Sequence, residues 1–216
     1  MPECLALALK TDFSDTVREK RIMKRVARFF AVPVALVSLS SPAFAAIDNQ
    51  TPSGLINGLI AEALSVSQNN DKAHAHQKLK VLLAQYFEVD EIGESLVRRW
   101  KSQITPDQLS AYKAALPNFI INTYANRISD YTSAKLKIIR VIPAGDGAAV
   151  LSQVTKTGSD PVNVIWTLEH TSQGYKVSNM TVAGINLLIT QRADFDSVVE
   201  HKGFDALIKM LQARAS

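Results

Sequence analysis

The spacing of apolar residues changes between residues 128 and 136, and that change constrains the fold more than any other feature. Between residues 55 and 128, apolar residues recur at intervals of three and four, which is the period of an amphipathic α-helix. Between residues 136 and 182, they alternate with polar residues or form short β-branched runs bounded by turn residues, as β-strands do. Helices followed by strands at hairpin spacing predict an α+β domain.

Four helices are predicted before the strands. The first follows Thr51-Pro52, because threonine is a good N-cap and proline suits the first helical position. The second covers residues 72–86, and the third should hold residues 92–100. The fourth starts at residues 105–108, where Thr-Pro-Asp-Gln combines an N-cap, a proline and a capping-box glutamine. Pro117 lies inside this last helix and should kink it or split it in two.

Four strands are predicted next, and their hairpin spacing favours a curved antiparallel meander. They cover residues 136–142, 148–155, 162–169 and 175–182. The last third of the chain then continues through Gly184 into an apolar segment and two short amphipathic helices separated by Gly203. We therefore predict N-terminal helices, a four-stranded sheet and C-terminal helices that together enclose an apolar cavity.

The start of the chain has the layout of a secretory signal peptide. Residues 23–28 are basic, an apolar run follows over residues 29–39, and small residues at positions 43 and 45 complete a cleavage site. That run is too short to span a bilayer, which takes about 20 helical residues. We predict a signal peptide over 23–45 with cleavage after Ala45, an n-extension or wrongly assigned start over 1–22, and one domain over 46–216. Residues 46–50 should be a loose end.

Charge and cysteine content exclude several classes of protein. Residues 1–45 hold 7 of the 24 basic and 4 of the 20 acidic residues, which leaves 17 and 16 in the predicted domain. That domain has no dense Lys/Arg run, so we expect no nucleic-acid partner. Cys4 is the only cysteine and precedes the cleavage site, which excludes a disulfide framework and a cysteine nucleophile. Ala46 stands where a lipoprotein needs an acylated cysteine, so the product should be released and not tethered.

Motifs for catalysis or metal binding are absent from the sequence. His74 and His76 are two residues apart and would lie on different faces of a helix, unlike a metal-binding pair. There is no Gly-x-Ser-x-Gly elbow and no phosphate-binding glycine loop. We therefore expect no catalytic residues, no metal and no cofactor.

Two groups of acidic residues have simpler interpretations than acid–base catalysis. Glu88, Asp90 and Glu91 lie near a predicted helix start, where negative charge interacts favourably with the helix dipole. Asp194 and Asp196 flank an apolar residue on a predicted helix and should face water.

Two blocks of the sequence carry a family resemblance. One comprises Leu-Val-Arg-Arg-Trp-Lys at 96–101, Ile-Thr-Pro-Asp-Gln-Leu at 104–109 and residues 119–131. The other covers residues 175–203 and includes Val-Ala-Gly-Ile-Asn-Leu-Leu. Together they resemble MlaC, the periplasmic phospholipid-binding component of the Mla lipid-transport system, also called the toluene-tolerance auxiliary component. The resemblance covers roughly residues 55–216, with Asn179 where the family often has aspartate and Asn186 where serine is common.

The resemblance implies a function. It implies a soluble periplasmic carrier, not an enzyme, that shuttles diacyl phospholipid between an outer-membrane lipoprotein–porin complex and the substrate-binding subunit of an inner-membrane ABC transporter. Such transport would support outer-membrane lipid asymmetry and toluene tolerance, and we expect the carrier to be a monomer. Each methylene hidden from water contributes about 0.8 kcal/mol, so a carrier must enclose nearly all of both chains.

The predicted lipid-binding residues come from the sheet and from the helices around it. From the inner face of the sheet we predict Val141, Val150, Val164, Trp166 and Met180. From the helices and the segment before the first C-terminal helix we predict Phe119, Tyr124, Ile185, Leu188, Arg192 and Phe195. Arg192 is the polar residue expected near the mouth, and the Tyr124 hydroxyl could donate to a glycerol ester.

Two other classes of function remain open. One is an enzyme on a cone-shaped α+β fold that acts on a small apolar substrate, which would need a buried Asp, Glu or His in the cavity. The other is a scaffold or adaptor, whose interior would be filled by side chains.

Overall fold

The computed structural model describes residues 47–67, 72–129, 134–156 and 158–215, so the predicted signal peptide lies outside the described residues. The predicted order of helices, strands and helices is confirmed. The helices are α1 (Pro52–Ser67), α2 (Lys72–Tyr86), α3 (Val89–Leu96), a 3₁₀ turn (Arg98–Trp100), α4 (Pro106–Ser129), α5 (Leu187–Lys202) and α6 (Phe204–Ala215). The strands are β1 (Lys135–Ala144), β2 (Gly147–Thr155), β3 (Val162–Thr171), β4 (Gly174–Val182) and β5 (Ile185–Asn186).

The sheet is an antiparallel meander in the order β1-β2-β3-β4-β5, one strand more than predicted. The additional strand, β5, has two residues and pairs with the end of β4. It forms because Ala183 and Gly184 both have positive φ, +50° and +83°, and reverse the chain within two residues. Residues expected to begin an apolar segment therefore first pair back onto the sheet.

Two β-bulges shape the sheet. The β1–β2 register shifts between Ile138 and Arg140, and the β3–β4 register shifts between Thr167 and Leu168. An extra residue in one strand bends that strand and increases its twist. The sheet can therefore curve around the helices that cover its inner face.

The residues before α1 are anchored, so the prediction of a loose end is wrong for residues 47–50. The Tyr175 amide donates to the Asn49 carbonyl at 2.7 Å, and Asn49 Nδ2 donates to the Gln173 carbonyl at 2.7 Å. Ile47 is buried, and its amide donates to the Tyr86 hydroxyl at 3.3 Å. These contacts fasten the segment to the start of β4 and to α2, which the local sequence did not indicate.

The predicted capping box at the start of α4 is confirmed. The Thr105 amide donates to Gln108 Oε1 at 3.0 Å, and the Gln108 amide donates to Thr105 Oγ1 at 3.2 Å. The helix then continues through Pro117 to residue 129 and is not split. Leu116 and Phe119, on either side of the proline, are both about 1% exposed in the same core, so packing holds the two halves together.

Two apolar clusters hold the domain together. The helical cluster joins α3, α4, α5 and α6, and its largest fully buried side chains are Tyr112, Phe119, Phe195, Leu116, Leu207 and Leu211. The sheet cluster joins the segment before α1, helix α1 and strands β2 to β4, and it contains Ile47, Leu55, Ile56, Leu59, Val150, Val164, Trp166, Leu168 and Val177. In the described part of the chain, no helix is both long enough and apolar enough to cross a bilayer.

Candidate functional site

An apolar cavity of about 500 Å³ lies between the helices and the inner face of the sheet. Its volume falls within the range of 300–1,000 Å³ that is typical of small-molecule sites. Helices α1 to α5 contribute Leu59, Ile60, Ala63, Leu64, Leu79, Leu82, Leu83, Ile92, Leu96, Leu116, Phe119, Ile120, Ile121, Leu187, Leu188 and Gln191. The strands and connecting segments contribute Phe87, Ala134, Leu136, Val154, Val162, Val164, Trp166, Val177, Ser178, Asn179, Met180 and Val182.

The chemistry of this lining is uniform. Among the described lining residues, only Ser178, Asn179 and Gln191 have polar side chains, and none is ionisable. Trp166 keeps its polar atom out of the cavity, because its Nε1–H donates to the buried Ser152 hydroxyl at 2.9 Å. The wall therefore offers apolar surface to a ligand and almost no hydrogen-bonding groups.

Five of the residues predicted to bind lipid line this cavity. They are Phe119, Val164, Trp166, Met180 and Leu188. Two register pairs, Trp166 with Met180 and Trp166 with Val150, define the inner face of the sheet on which the strand residues lie.

Two further predicted residues are buried in the core and do not border the cavity. Val150 is fully buried in the sheet cluster that also contains Leu55 and Ile56. Phe195 is fully buried with its ring centroid 5.7 Å from that of Phe119 and 6.3 Å from that of Tyr112. Both side chains point inward as expected, but other side chains occupy the space in front of them.

Two more predicted residues are exposed. Val141 pairs with the inward residue Val150, yet it is 38% exposed because residues 139–144 of the edge strand β1 all lie at the surface. Ile185 is 58% exposed, since it follows the Ala183–Gly184 turn. The Tyr124 side chain lies outside the described residues.

Arg192 does not line the cavity either, because it links two helices. Its Nε donates to the Ser95 carbonyl at 2.9 Å, and its Nη2 donates to the Ser95 hydroxyl at 2.6 Å, which ties α5 to α3. A second hydrogen bond joins the 3₁₀ turn to α5, because Trp100 Nε1 donates to Asp196 Oδ1 at 2.6 Å. Asp196 is therefore partly buried and hydrogen-bonded, and the prediction that it faces water is wrong.

Several lining residues were not predicted, above all those of α1 and α2. Their spacing of three and four marks Leu59, Ala63, Leu79, Leu82 and Leu83 as an apolar helix face. That pattern could identify them as inward residues, but it could not distinguish a face that meets another helix from one that meets a void.

A second recess, of about 390 Å³, lies beside the cavity. Because polar side chains line most of it, we call it the polar recess. It is lined by Glu91, Ile92, Glu94, Ser95, Arg98, Lys101, Glu169, Ser178, Asn179 and Leu188. Hydrogen bonding and charge repulsion from Glu169 raise the pKa of Glu91 above its usual value. Hydrogen bonds from Lys101 and Lys113 lower the pKa of Glu94 to about 2.

The two asparagines that depart from the resembled family both act as hydrogen-bond acceptors. Asn179 Oδ1 accepts from the Met180 amide at 2.7 Å and from the Leu188 amide at 3.3 Å. Asn186 caps α5, because its Oδ1 accepts from the Ile189 amide at 3.0 Å. Aspartate and serine also carry acceptor oxygens that can serve at these positions, so the substitutions conserve the local role.

Comparison with known proteins agrees with this fold. A toluene tolerance protein, ttg2D, from Pseudomonas putida is 25% identical over 181 residues, which cover 79% of this chain and 83% of that protein. A phospholipid-binding protein from Ralstonia solanacearum, solved in complex with a phospholipid, superposes with a TM-score of 0.64 at 22% identity. The superposition covers 78% of this chain and 97% of that structure, and it confirms the predicted α+β fold.

The family assignment itself comes from a match to a family model. Residues 57–213 match the model described as MlaC protein. The match spans well over half of the 216 residues and both resembling blocks. The chain belongs to the MlaC family.

Proposed function

We propose that this chain is a carrier of diacyl phospholipid that holds acyl chains in the apolar cavity. The observation that carries the proposal is the cavity lining, which is apolar except for Ser178, Asn179 and Gln191. Each methylene transferred from water to such a wall contributes about 0.8 kcal/mol. A lipid in this cavity would therefore be held by its chains, with little demand on hydrogen bonding.

The same lining weighs against the two alternatives. An enzyme on this fold needs an acid, a base or a nucleophile in the cavity, and the described lining offers no ionisable side chain. A scaffold with a filled core would have no space of about 500 Å³ between its helices and its sheet. The relatives also favour a carrier, since the Ralstonia solanacearum protein with this fold was solved with a phospholipid.

The proposal includes a place and partners. The predicted signal peptide, cleaved after Ala45, would release the domain into the periplasm. There the carrier would shuttle lipid between an outer-membrane lipoprotein–porin complex and the substrate-binding subunit of an inner-membrane ABC transporter. It would act as a monomer, since the residues of one chain line the apolar cavity.

The direct test is the content of the protein as isolated. Residues 46–216, purified from the periplasm without added lipid, should show phospholipid by native mass spectrometry and by solvent extraction. Protein that is folded and consistently free of lipid would contradict the proposal.

A matched pair of variants tests the cavity without a new charge. Ala63 lines the cavity, whereas Ala61 on the same helix is exposed. Ala63→Phe should fill part of the space and lower the lipid retained per molecule by at least about half, by excluding chain methylenes. Ala61→Phe should retain lipid as the unmodified protein does. If both variants retain the same amount of lipid and melt at the same temperature, the lipid does not occupy this cavity.

A second pair follows helix α5. Leu188 lines the cavity, and its neighbour Ile189 is 61% exposed. Leu188→Asp should abolish retention, because a carboxylate in the wall is incompatible with buried chains. Ile189→Asp should have little effect on retention.

A further inference from the structure

The sheet ends at strand β1, and the outer side of that strand has no strand beside it in the described part of the chain. Its pairing with β2 on the other side runs from Lys135 to Ala144. Beyond that pairing, no backbone–backbone hydrogen bond between described residues reaches residues 135–144. A free edge of this kind presents backbone N–H and C=O groups to which another strand can pair. We call this free side of residues 135–144, with its side chains, the β1 edge.

Apolar side chains of the β1 edge are exposed on both faces of the sheet. Val141 lies on the inner face, because it pairs with the fully buried Val150, yet it is 38% exposed. Ile142 follows it on the outer face, and Ile139 lies at the bulge; both are nearly half exposed. Strand β2 covers these side chains from one side only, so a strand on the free side would cover them further.

The charged side chains of the β1 edge all have the same sign. Lys135 and Lys137 flank Leu136, which lines the cavity, so both lie on the outer face. Arg140 precedes the inward residue Val141 and lies on the outer face as well. All three cations are exposed, none forms a salt bridge with a described residue, and β1 contains no acidic residue. The outer face of the edge therefore carries positive charge that the described domain does not neutralise.

These features restrict what can cover the β1 edge. A second copy of β1 would bring cations against cations, and like charges in neighbouring strands are destabilising. A membrane surface would attract the cations but has no backbone groups to continue the ladder. An extended protein segment with acidic side chains meets both the charges and the free backbone groups.

We propose that the β1 edge is the docking site for an extended segment of a partner protein, which joins the sheet as a further strand and alternates acidic with apolar residues. Its acidic side chains lie beside Lys135, Lys137 and Arg140 on the outer face, and its apolar side chains lie beside Val141 on the inner face. Main-chain hydrogen bonds give such strand addition its affinity, and the alternate side chains give it specificity. The inference goes beyond the carrier function, because it does not depend on what the cavity holds.

The direct test uses three short peptides of the length of β1. The first alternates glutamate with valine, the second has lysine in place of every glutamate, and the third is the first with methylated backbone nitrogens. The acidic peptide should bind, as measured by fluorescence anisotropy, and should shift the NMR signals of residues 135–144. The lysine peptide should bind at least about tenfold more weakly, because three exposed ion pairs of ordinary strength are lost together. The methylated peptide should bind more weakly by about the same factor, because it cannot donate hydrogen bonds to β1.

Charge reversal tests the same site from the side of the protein. Lys137→Glu with Arg140→Glu should reverse the preference between the acidic and the lysine peptide. Lys202→Glu with Lys209→Glu is the matched control, since it changes the same number of exposed cations on α5 and α6 and should leave the preference unchanged. Lys137 and Arg140 face away from the cavity, so lipid retention should be the same in both variants. Failure of the carrier function would therefore leave this comparison intact.

Three results with the peptides would overturn the proposal. If the methylated peptide binds as tightly as the acidic one, charge alone attracts it and no strand is added. If the charge-reversed protein keeps the original preference, the cations of the β1 edge do not select the partner. If no peptide binds at up to millimolar concentration, the edge is not a docking site for such a segment.

Two other occupants have their own signatures, and either one would also overturn the proposal. Vesicles that contain phosphatidylglycerol would bind the unmodified protein more tightly than the charge-reversed protein if the β1 edge contacts a membrane. The unmodified protein would sediment as a dimer, and the charge-reversed protein as a monomer, if a second copy covers the edge. We expect no vesicle binding that depends on Lys137 and Arg140, and no dimer.

Discussion

The Trp166 indole N–H donates to Ser152 Oγ at 2.9 Å, across the β2–β3 pair and behind the cavity wall. Ser152 is fully buried and in turn donates to the Val164 carbonyl at 3.3 Å. Because the indole N–H is bonded to Ser152, Trp166 presents only ring carbons to the cavity. The stability of the wall should therefore depend on this hydrogen bond.

Ser152→Ala should destabilise the domain by about 1–3 kcal/mol, because it leaves a buried indole N–H without an acceptor. Urea unfolding followed by circular dichroism measures the change. Trp166→Phe removes the donor, so Ser152→Ala should cost less in that background. Equal costs in the two backgrounds would show that the hydrogen bond contributes nothing.

Arg192→Met should weaken the attachment of α5 to α3, since it keeps the apolar stem but loses both hydrogen bonds to Ser95. Hydrogen bonds to charged groups contribute about 1.5–3 kcal/mol, and we expect the lower end for this partly buried pair. Ser95→Ala is the matched control, because it removes the hydroxyl acceptor and keeps the carbonyl. It should cost less in the same urea titration. An unchanged midpoint for Arg192→Met would contradict the structural role of this contact.

Acid should destabilise the domain partly through Glu94. Its pKa is lowered from 4.5 to about 2 by hydrogen bonds from Lys101 and Lys113. A lowered folded-state pKa gives stability that is present above pH 4.5 and is lost as the pH falls toward 2. Glu94→Gln should therefore flatten the dependence of the unfolding free energy on pH in that window. Lys113→Met should lose part of the same pH dependence. If the unfolding free energy of Glu94→Gln and of Lys113→Met changes with pH as in the unmodified protein, Glu94 and its lysine partners do not contribute to acid denaturation.

Gly147→Ala should destabilise the sheet strongly. An added Cβ would overlap the Leu168 carbonyl oxygen, and β2 can relieve that overlap only by separating from β3. We expect a loss of about 3 kcal/mol or more. Gly158→Ala, with φ of +80° but no atom within 4 Å, should cost about 1–2 kcal/mol from backbone strain alone. Thermal melts of the two variants should differ clearly, and similar melting temperatures would contradict the close approach.

The elements were largely predictable from local patterns. The capping box at Thr105 and the break at Gly203 depend on hydrogen bonds and dihedral angles within a few residues, and both occur as predicted. The fifth strand was missed because it depends on a two-residue turn that pairs the chain back onto β4. The anchored segment at Asn49 was missed because its partner, Tyr175, is more than a hundred residues away.

The candidate site was predictable only as a set of inward faces. Val164 and Val150 are both inward residues of neighbouring strands, yet only Val164 borders the cavity, while Val150 is covered in the sheet cluster. Leu188 and Phe195 lie on the same helix, and only Leu188 borders the cavity. Alternation and helical period specify a direction for each side chain, but not what lies opposite it.

The sequence by itself determined the α+β order, the inward faces and the family, because these depend on periodicity, caps and ordered motifs within the chain. The tertiary structure decided which apolar residues meet a void and which fill the core. It also decided that Glu169 and Glu91 line the same recess, and that Arg192 donates to Ser95 and does not line the cavity. The physical reason is that burial, repulsion and hydrogen bonding between distant residues depend on how the layers pack, which no local pattern encodes.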